Sequence, residues 1–567
     1  MKARFAIAAA VGWLAIVASL TRARAAACRD PFDPAVNPAQ VLLGDRLFRE
    51  TRFGQFFFAF LEADARRTVN TPLRPPDPTV RFEQDADGKR KPDPFRAYSM
   101  NCRNCHLGND LLGVARFDGR TYCDFAQRSP IPARGDGHTT TPRNSQPLVS
   151  VSIARQVPFV FHFDGEFASI EDLTLGTLTG RNFGWLPSEF EQAKAHIVNV
   201  IKNDSGKNAL ARRYGCGGFP YSVILKGTDP RIPAGEVLPE QYRLDVNDPN
   251  TTDDMILNDI GTLIHAYLDS IAFNLNEPAS PYDVFLNKNG LPTAPNQGET
   301  NIQYAQRLLG LINQLQNPQF VMQPKDGVLR LHKGQRFQFG AAELAGLKVF
   351  FTQLTASPPG VGGAGNCVAC HTPPAFTDDM FHNTGVSQFE YDAAQGEPGD
   401  FMALTIPDLN TRNANFDQYL PPTPAHPDAS GEFRSPASAS DPSLTDLGVW
   451  NILGNPDIPN PQSALSQILC AEFNLSGNNC TAENLLPMAV AFFKTPSVRD
   501  PGQSYPYMHN GSLNTLTAVF NFYGQASAMA RAGQLRNPSP ELSNIFIDSN
   551  DFGPLSAFLN SLNEDYR

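Results

Sequence analysis

The chain lacks a basic excess: 46 Lys and Arg stand against 57 Asp and Glu in 567 residues, a formal net charge of -11. A chain this acidic is a poor ligand for nucleic acid or an anionic membrane surface, so neither is expected as a partner. Long apolar runs are also missing after Leu20, which excludes a later membrane span. Strand signals are sparse, so helix and loop are expected to dominate. Cysteine is scarce, at nine residues, and so is histidine, at ten. Proline (48) and glycine (43) are plentiful instead and predict many turns. The length is too great for one core and implies two domains or more.

The N-terminus, "MKARFAIAAAVGWLAIVASLTRARAAACRD", has a basic start, an apolar run from Phe5 to Leu20 and small residues near Ala25 and Ala27. Residues 1–27 therefore read as a secretory signal peptide, and the mature chain is expected in the periplasm. A membrane anchor would need a longer run, and Arg22 and Arg24 sit badly for a lipid-modified Cys28. Removing the segment takes its four cations away and leaves a net charge of -15.

The scarce cysteines are not evenly spread. "NCRNCHLGND" holds Cys102, Cys105 and His106, and "GNCVACHTPP" repeats the unit as Cys367, Cys370 and His371. C-x-x-C-H is the attachment signature of c-type haem. Two thiols at this spacing bond one edge of the porphyrin, and the next residue, a histidine, ligates the iron from below. Random placement of these residue types gives about 0.0025 such units per chain, whereas two are present. A four-cysteine zinc site is the alternative, but it leaves both histidines unexplained. Two covalent haems are expected. Of the other cysteines, Cys470 and Cys480 are the preferred disulfide in an oxidising compartment; Cys123 with Cys216 is a second option, and Cys28 is left over.

Helical spacing occurs at 42–48, 188–202, 255–273, within "YAQRLLGLINQL", in "AAELAGLKVFFTQL" before the second unit, and in "PLSAFLNSLNEDY". Residues 287–340 read as a linker or insertion, and 415–445, low in large apolar residues, as surface loop.

Two such units far apart, "LLGDRLFRETRF" before the first, "FHFDGEFASIEDL" after it, "AFTDDMFHNTG" after the second, then "FKTPSVRD" and "PYMHNGSLNTLTAVFNFY" resemble the bacterial dihaem cytochrome c peroxidase and MauG superfamily. The resemblance follows most of the mature chain, apart from 55–95, 287–340 and 415–445. It implies a mainly α fold of two cytochrome-c-like haem domains with long loops, at 28–286 and 341–567. It also implies a first haem that reacts with peroxide or O₂, a second that relays electrons from a small redox protein or other donor, and one calcium ion between the domains. His106 and His371 become the two iron ligands, Arg499 a partner of a haem propionate, and Asn144 and Pro506 calcium ligands. His382 matches the family too, near the second haem or as a loop anchor.

The departures concern the first haem. The family carries tryptophan-Asp-Gly, then a glutamine and a glutamate over the iron. Here Phe163 precedes Asp164 and Gly165, and ungapped matching gives Leu173 and Phe183 for the two polar residues. Neither can move a proton between peroxide oxygens. Arg181, beside Asn182, can steady charge but is a poor proton carrier, and equally suits a surface or propionate pair. Trp185 reads as a buried structural indole rather than a replacement for the missing tryptophan, and His162 and His265 as packed core histidines. No histidine separates His106 from His138, so an open distal face is expected. An apolar pocket of this kind also suits a dihaem oxygenase, and two six-coordinate irons would make an electron carrier. For the second iron, a helix capped by Ser512 places Leu513, Leu516, Phe520 and Tyr523 on one face. Of the candidates Met508, His509, Tyr523 and Met529, Tyr523 falls on the family's sixth-ligand position, with Met529 or no residue on the iron as the alternative and Met508 as packing.

Overall fold

The computed structural model describes residues 38–72, 82–84, 90–92, 101–102, 105–108, 121–122, 131–148, 151–153, 155–208, 210–211, 218–271, 280–322, 336–354, 362–396 and 400–563. The signal segment, Cys28, Cys123 and Cys216 lie outside them.

Twelve helices of eight or more residues form the framework among the described residues. In chain order they are α1 (Ala39–Phe48), α2 (Gln55–Glu62), α3 (Ile170–Leu178), α4 (Phe190–Asn203), α5 (Asp253–Ser270), α6 (Pro281–Lys288), α7 (Asn301–Gln314), α8 (Ala341–Phe351), α9 (Val386–Gln395), α10 (Gln462–Glu472), α11 (Leu516–Arg531) and α12 (Ser549–Asn560). Among the described residues, strands are confined to four two-stranded antiparallel pairs of two or three residues each. The fold is mainly α, as the missing strand signals imply. Helix starts follow local chemistry. Thr252 caps α5 by accepting from the Met255 N–H, with Asp253 and Asp254 against the positive end of the helix dipole. Thr300 and Gln303 close a capping box on α7.

The two halves repeat one device. In each, a helix N-terminal to the C-x-x-C-H unit crosses a helix from the end of that half, and a glycine lies at the crossing. A Cβ on Gly44 of α1 would stand 2.1 Å from the Leu263 carbonyl oxygen of α5. A Cβ on Gly346 of α8 would stand 1.9 Å from the Pro554 carbonyl oxygen of α12. Only glycine lets the backbones approach so closely, so "LLGDRLF" and "AELAGLK" carry the same packing requirement. One core fills the first half, with Leu43, Leu47, Phe57, Trp185, Ile197, Ile260 and Leu263 buried. A second joins Tyr282, Phe285, Tyr304, Leu308, Phe350, Phe376 and Phe558. Thus α7, in the stretch 287–340 read as a linker, packs on the helices that carry the second unit.

A third core corrects the reading of 415–445 as surface loop. Phe416, Leu420 and Phe433 are buried with Leu447, Trp450, Leu465 and Leu469. The segment is poor in large apolar residues, but Phe416, Leu420 and Phe433 enter the core and Tyr419 packs against it. Cys470 and Cys480 form the expected disulfide, with a Cα–Cα distance of 5.7 Å.

Candidate functional site: two histidine–thiol turns across an interface

Each C-x-x-C-H unit closes a single helical turn. The His106 N–H donates to the Cys102 carbonyl at 2.9 Å, and the His371 N–H to the Cys367 carbonyl at 2.8 Å. The first thiol and the histidine of each unit therefore share a face. The surroundings lower both imidazoles, which favours the neutral form that binds a metal. His106 is pushed down to about 4, by burial first and by nearby His162, against a contribution from the Gln146 backbone. His371 is lowered chiefly by burial. Its Nδ1 faces the Phe376 carbonyl oxygen at 3.2 Å, which leaves Nε2 for a metal. Burial also pushes the Cys102 and Cys367 thiols up to about 12. Paired thiols followed at once by a histidine, on one part-buried turn, fit a covalently held haem in both halves.

Around the first unit the surroundings are apolar. Cys102 and Leu173 pack on the core that buries Phe183, which is 2% exposed. Arg181 is committed elsewhere: its guanidinium bonds Asp136 at 2.6 and 3.0 Å and donates to the Pro132 and His138 carbonyls. His138 itself is exposed. Trp185 is fully buried in the first core and donates to the Phe53 carbonyl at 3.2 Å, a structural role.

Phe163 lies at the contact between the halves. Its carbonyl accepts from the Lys494 N–H at 2.7 Å. Its ring meets His509 edge-on at 6.4 Å, and His509 stacks on Phe493 at 3.6 Å. Gly165 has a φ of 74°, and a Cβ there would stand 2.5 Å from Leu465, so this loop fits the second half only with glycine. Beside it is a buried charge cluster that the sequence did not reveal. Arg143 pairs with Asp164 at 2.5 Å and with Asp446 at 2.6 Å. Arg434 pairs with Asp164 at 3.1 Å and Glu166 at 2.5 Å, and His162 with Glu166 at 3.0 Å. The one available signal was three ionisable residues in the apolar run "FHFDGEF". The expectation of core histidines fails for His162 and His265. Both are part-exposed and ion-paired, His265 with Glu171 at 2.7 Å.

The structure brings Asn144 and Pro506 together across 362 positions. The Asn144 side-chain amide donates to the Pro506 carbonyl, and its backbone N–H to the His509 carbonyl at 2.6 Å. Turning the amide over would aim two oxygens at one point, which is the donor chemistry a calcium ion takes. Arg499 does not stand open: it holds Asp283 with two bonds, at 2.8 and 3.0 Å, and donates to the Pro374 carbonyl. His382 is buried and bonds Asp378 at 2.8 Å.

Thr515, not Ser512, caps the helix α11; its hydroxyl accepts from the Ala518 N–H. The reason is one of phase, since α11 starts at Leu516. Phe520 enters the second core, while Tyr523 packs with Met508 and Met529 on a small separate cluster. Burial first, then Cys370 and Cys367, raise the Tyr523 phenol well above its ordinary value, which puts it within electrostatic reach of the second unit.

No family model matches the chain. A stretch of 200 residues is 24% identical to the cytochrome-c peroxidase IdrP2 of Denitromonas iodatirespirans; it covers 35% of this chain and 36% of that protein, little over a third of the relative's length. Among solved structures, the dihaem peroxidase BthA of Burkholderia thailandensis aligns over 94% of this chain and 89% of its own at 15% identity, TM-score 0.42. A MauG-like protein associated with microbial copper homeostasis aligns over 82% and 84%, also at 15% identity, TM-score 0.37. The chain thus carries two C-x-x-C-H turns and is similar, over about a third of its length, to a cytochrome-c peroxidase.

Proposed function

We propose that the chain is an exported dihaem c-type oxidoreductase of the periplasm. One haem is held by Cys102, Cys105 and His106, and the other by Cys367, Cys370 and His371. The observation that carries this reading is the pair of C-x-x-C-H turns, each closed by a histidine N–H bond to the first cysteine's carbonyl, so that thiol and imidazole share a face. When bound, the haems supply reaction with peroxide or O₂ at the first site and electron relay at the second. The polypeptide supplies the rest. His106 and His371 ligate from the proximal side. Phe163, Phe493 and His509 form the packed aromatic contact between the halves. Asn144 and Pro506 hold a calcium ion across the same contact. Electrons arrive from a small redox protein or other donor.

A second reading is an oxygenase for an apolar compound. It is favoured by Leu173 and Phe183, hydrocarbon side chains in the core on which Cys102 packs. Both readings need an open first iron. The optical and EPR spectra of the oxidised protein are expected to contain a five-coordinate high-spin signal that changes when peroxide is added. Two low-spin six-coordinate irons, unchanged by peroxide, would leave only an electron carrier.

At the second iron, Tyr523 is proposed as the sixth ligand. A phenolate stabilises the ferric state, whereas methionine raises the potential. Tyr523→Phe should therefore alter the ferric spectrum of one haem and raise its potential. A spectrum and potential equal to those of the wild type would remove Tyr523 from the iron.

A further inference from the structure

Between the two histidine turns lies a cavity of about 60 Å³, lined from both halves. Gln146, whose backbone borders His106, lines one side. Pro496, whose backbone borders His371, lines the other. Two cations reach it, Arg155 and Lys494, with side chains only 6% and 8% exposed. Asp379 is their one ion-pairing carboxylate among the described residues, at 3.3 Å from Arg155 and 3.9 Å from Lys494. The Arg155 guanidinium also donates to the Val151 and Val160 carbonyls and lies over the Phe159 ring. Lys494 lies 5.9 Å from the Phe161 ring centroid.

Among the described residues the charges do not balance: two buried cations face one carboxylate. An uncompensated buried charge is costly, and the ordinary response is either to lose the proton or to gain a counter-ion. Lys494 shows the first tendency, pushed down to about 7 by burial and by Arg155, with Asp379 offsetting only part. One further carboxylate would restore neutrality, and the cavity has room for a group of that size.

We propose that Arg155 and Lys494 form a carboxylate cradle at the domain interface, filled by a propionate of a covalently bound haem. This rests on the dihaem reading above. It gives the haem carboxylate the partner that Arg499, held by Asp283, was expected to be. It also sets a positive charge beside a haem and at the contact between halves, so Lys494 acts as a positioning residue that raises one haem's potential.

The test uses the full-length holo protein. The intact mass of Lys494→Gln first establishes that two haems are attached, so failure of the dihaem reading is seen separately. Spectroscopic redox titration should then show one midpoint potential lowered in Lys494→Gln and restored in Lys494→Arg. Resonance Raman should show a shifted propionate bending band in Lys494→Gln relative to the wild type. If Lys494→Gln does not fold, Arg155→Gln takes its place in both measurements. Unchanged potentials and an unchanged propionate band in a dihaem variant overturn the cradle. So does a wild-type potential that moves only when inorganic phosphate is added, because the anion would then come from solution.

Discussion

Arg143→Ala is expected to destabilise the holo protein by about 3–5 kcal/mol, the cost of removing one partner from a buried ion pair. Arg143 holds two carboxylates from opposite halves, Asp164 and Asp446, which are 0% and 2% exposed. Arg434 still reaches Asp164 in the variant, but nothing else described ion-pairs with Asp446. The effect has a pH signature. Burial alone would raise the Asp446 carboxyl, and Arg143, helped by His509 and the Gly448 N–H, more than offsets it, so the folded-state value is depressed. A depressed carboxyl contributes stability above its unfolded value, about 4, and loses it as pH falls further. Without Arg143 the carboxyl protonates more readily, so the penalty should be full at neutral pH and shrink towards about pH 4. Denaturant unfolding at both pH values checks this. A loss below about 1 kcal/mol at neutral pH, the scale of a solvated surface pair, would mean that the cluster does not hold the halves together.

Peroxide turnover is expected to be slow, about a hundred- to ten-thousand-fold below a dihaem peroxidase with both polar distal groups, because general acid–base help is worth that much. The ungapped match gives Leu173 and Phe183 at those positions, and Arg181 is held by Asp136. Phe183→Glu should raise the peroxide rate at least about tenfold, while lowering stability by roughly 1–3 kcal/mol for an unpaired buried polar group. The two effects have one cause. Phe183 is 2% exposed, and burial lifts a carboxyl towards the range in which it can accept and return a proton near neutral pH. Stopped-flow mixing with peroxide measures the rate. Fast wild-type turnover would show that the proton carrier lies elsewhere.

What could be read from the sequence was whatever depends on short spacing. The two C-x-x-C-H turns, the Cys470–Cys480 disulfide and the long helices are set by residues within a few positions of one another, so pattern alone located them. The cap of α11 was misplaced by three residues because Ser512 and Thr515 offer the same hydroxyl, and only the phase of the helix chooses between them. The long-range partners were not legible. Arg143 meets Asp446 across 303 positions, and Arg499 meets Asp283 across 216. A charged residue carries no mark of which distant carboxylate it will face. The segment 415–445 misled for a related reason: three aromatic or aliphatic residues suffice to anchor a polar stretch when a core elsewhere receives them.

The central claim is that both C-x-x-C-H turns carry covalent haem. Intact mass spectrometry of the denatured mature protein, made in a host that matures c-type cytochromes, tests it most directly. The account predicts the mass of the processed polypeptide plus two haems, with one lost when the Cys367 and Cys370 pair is replaced by alanine. A wild-type mass corresponding to one haem or none would contradict it.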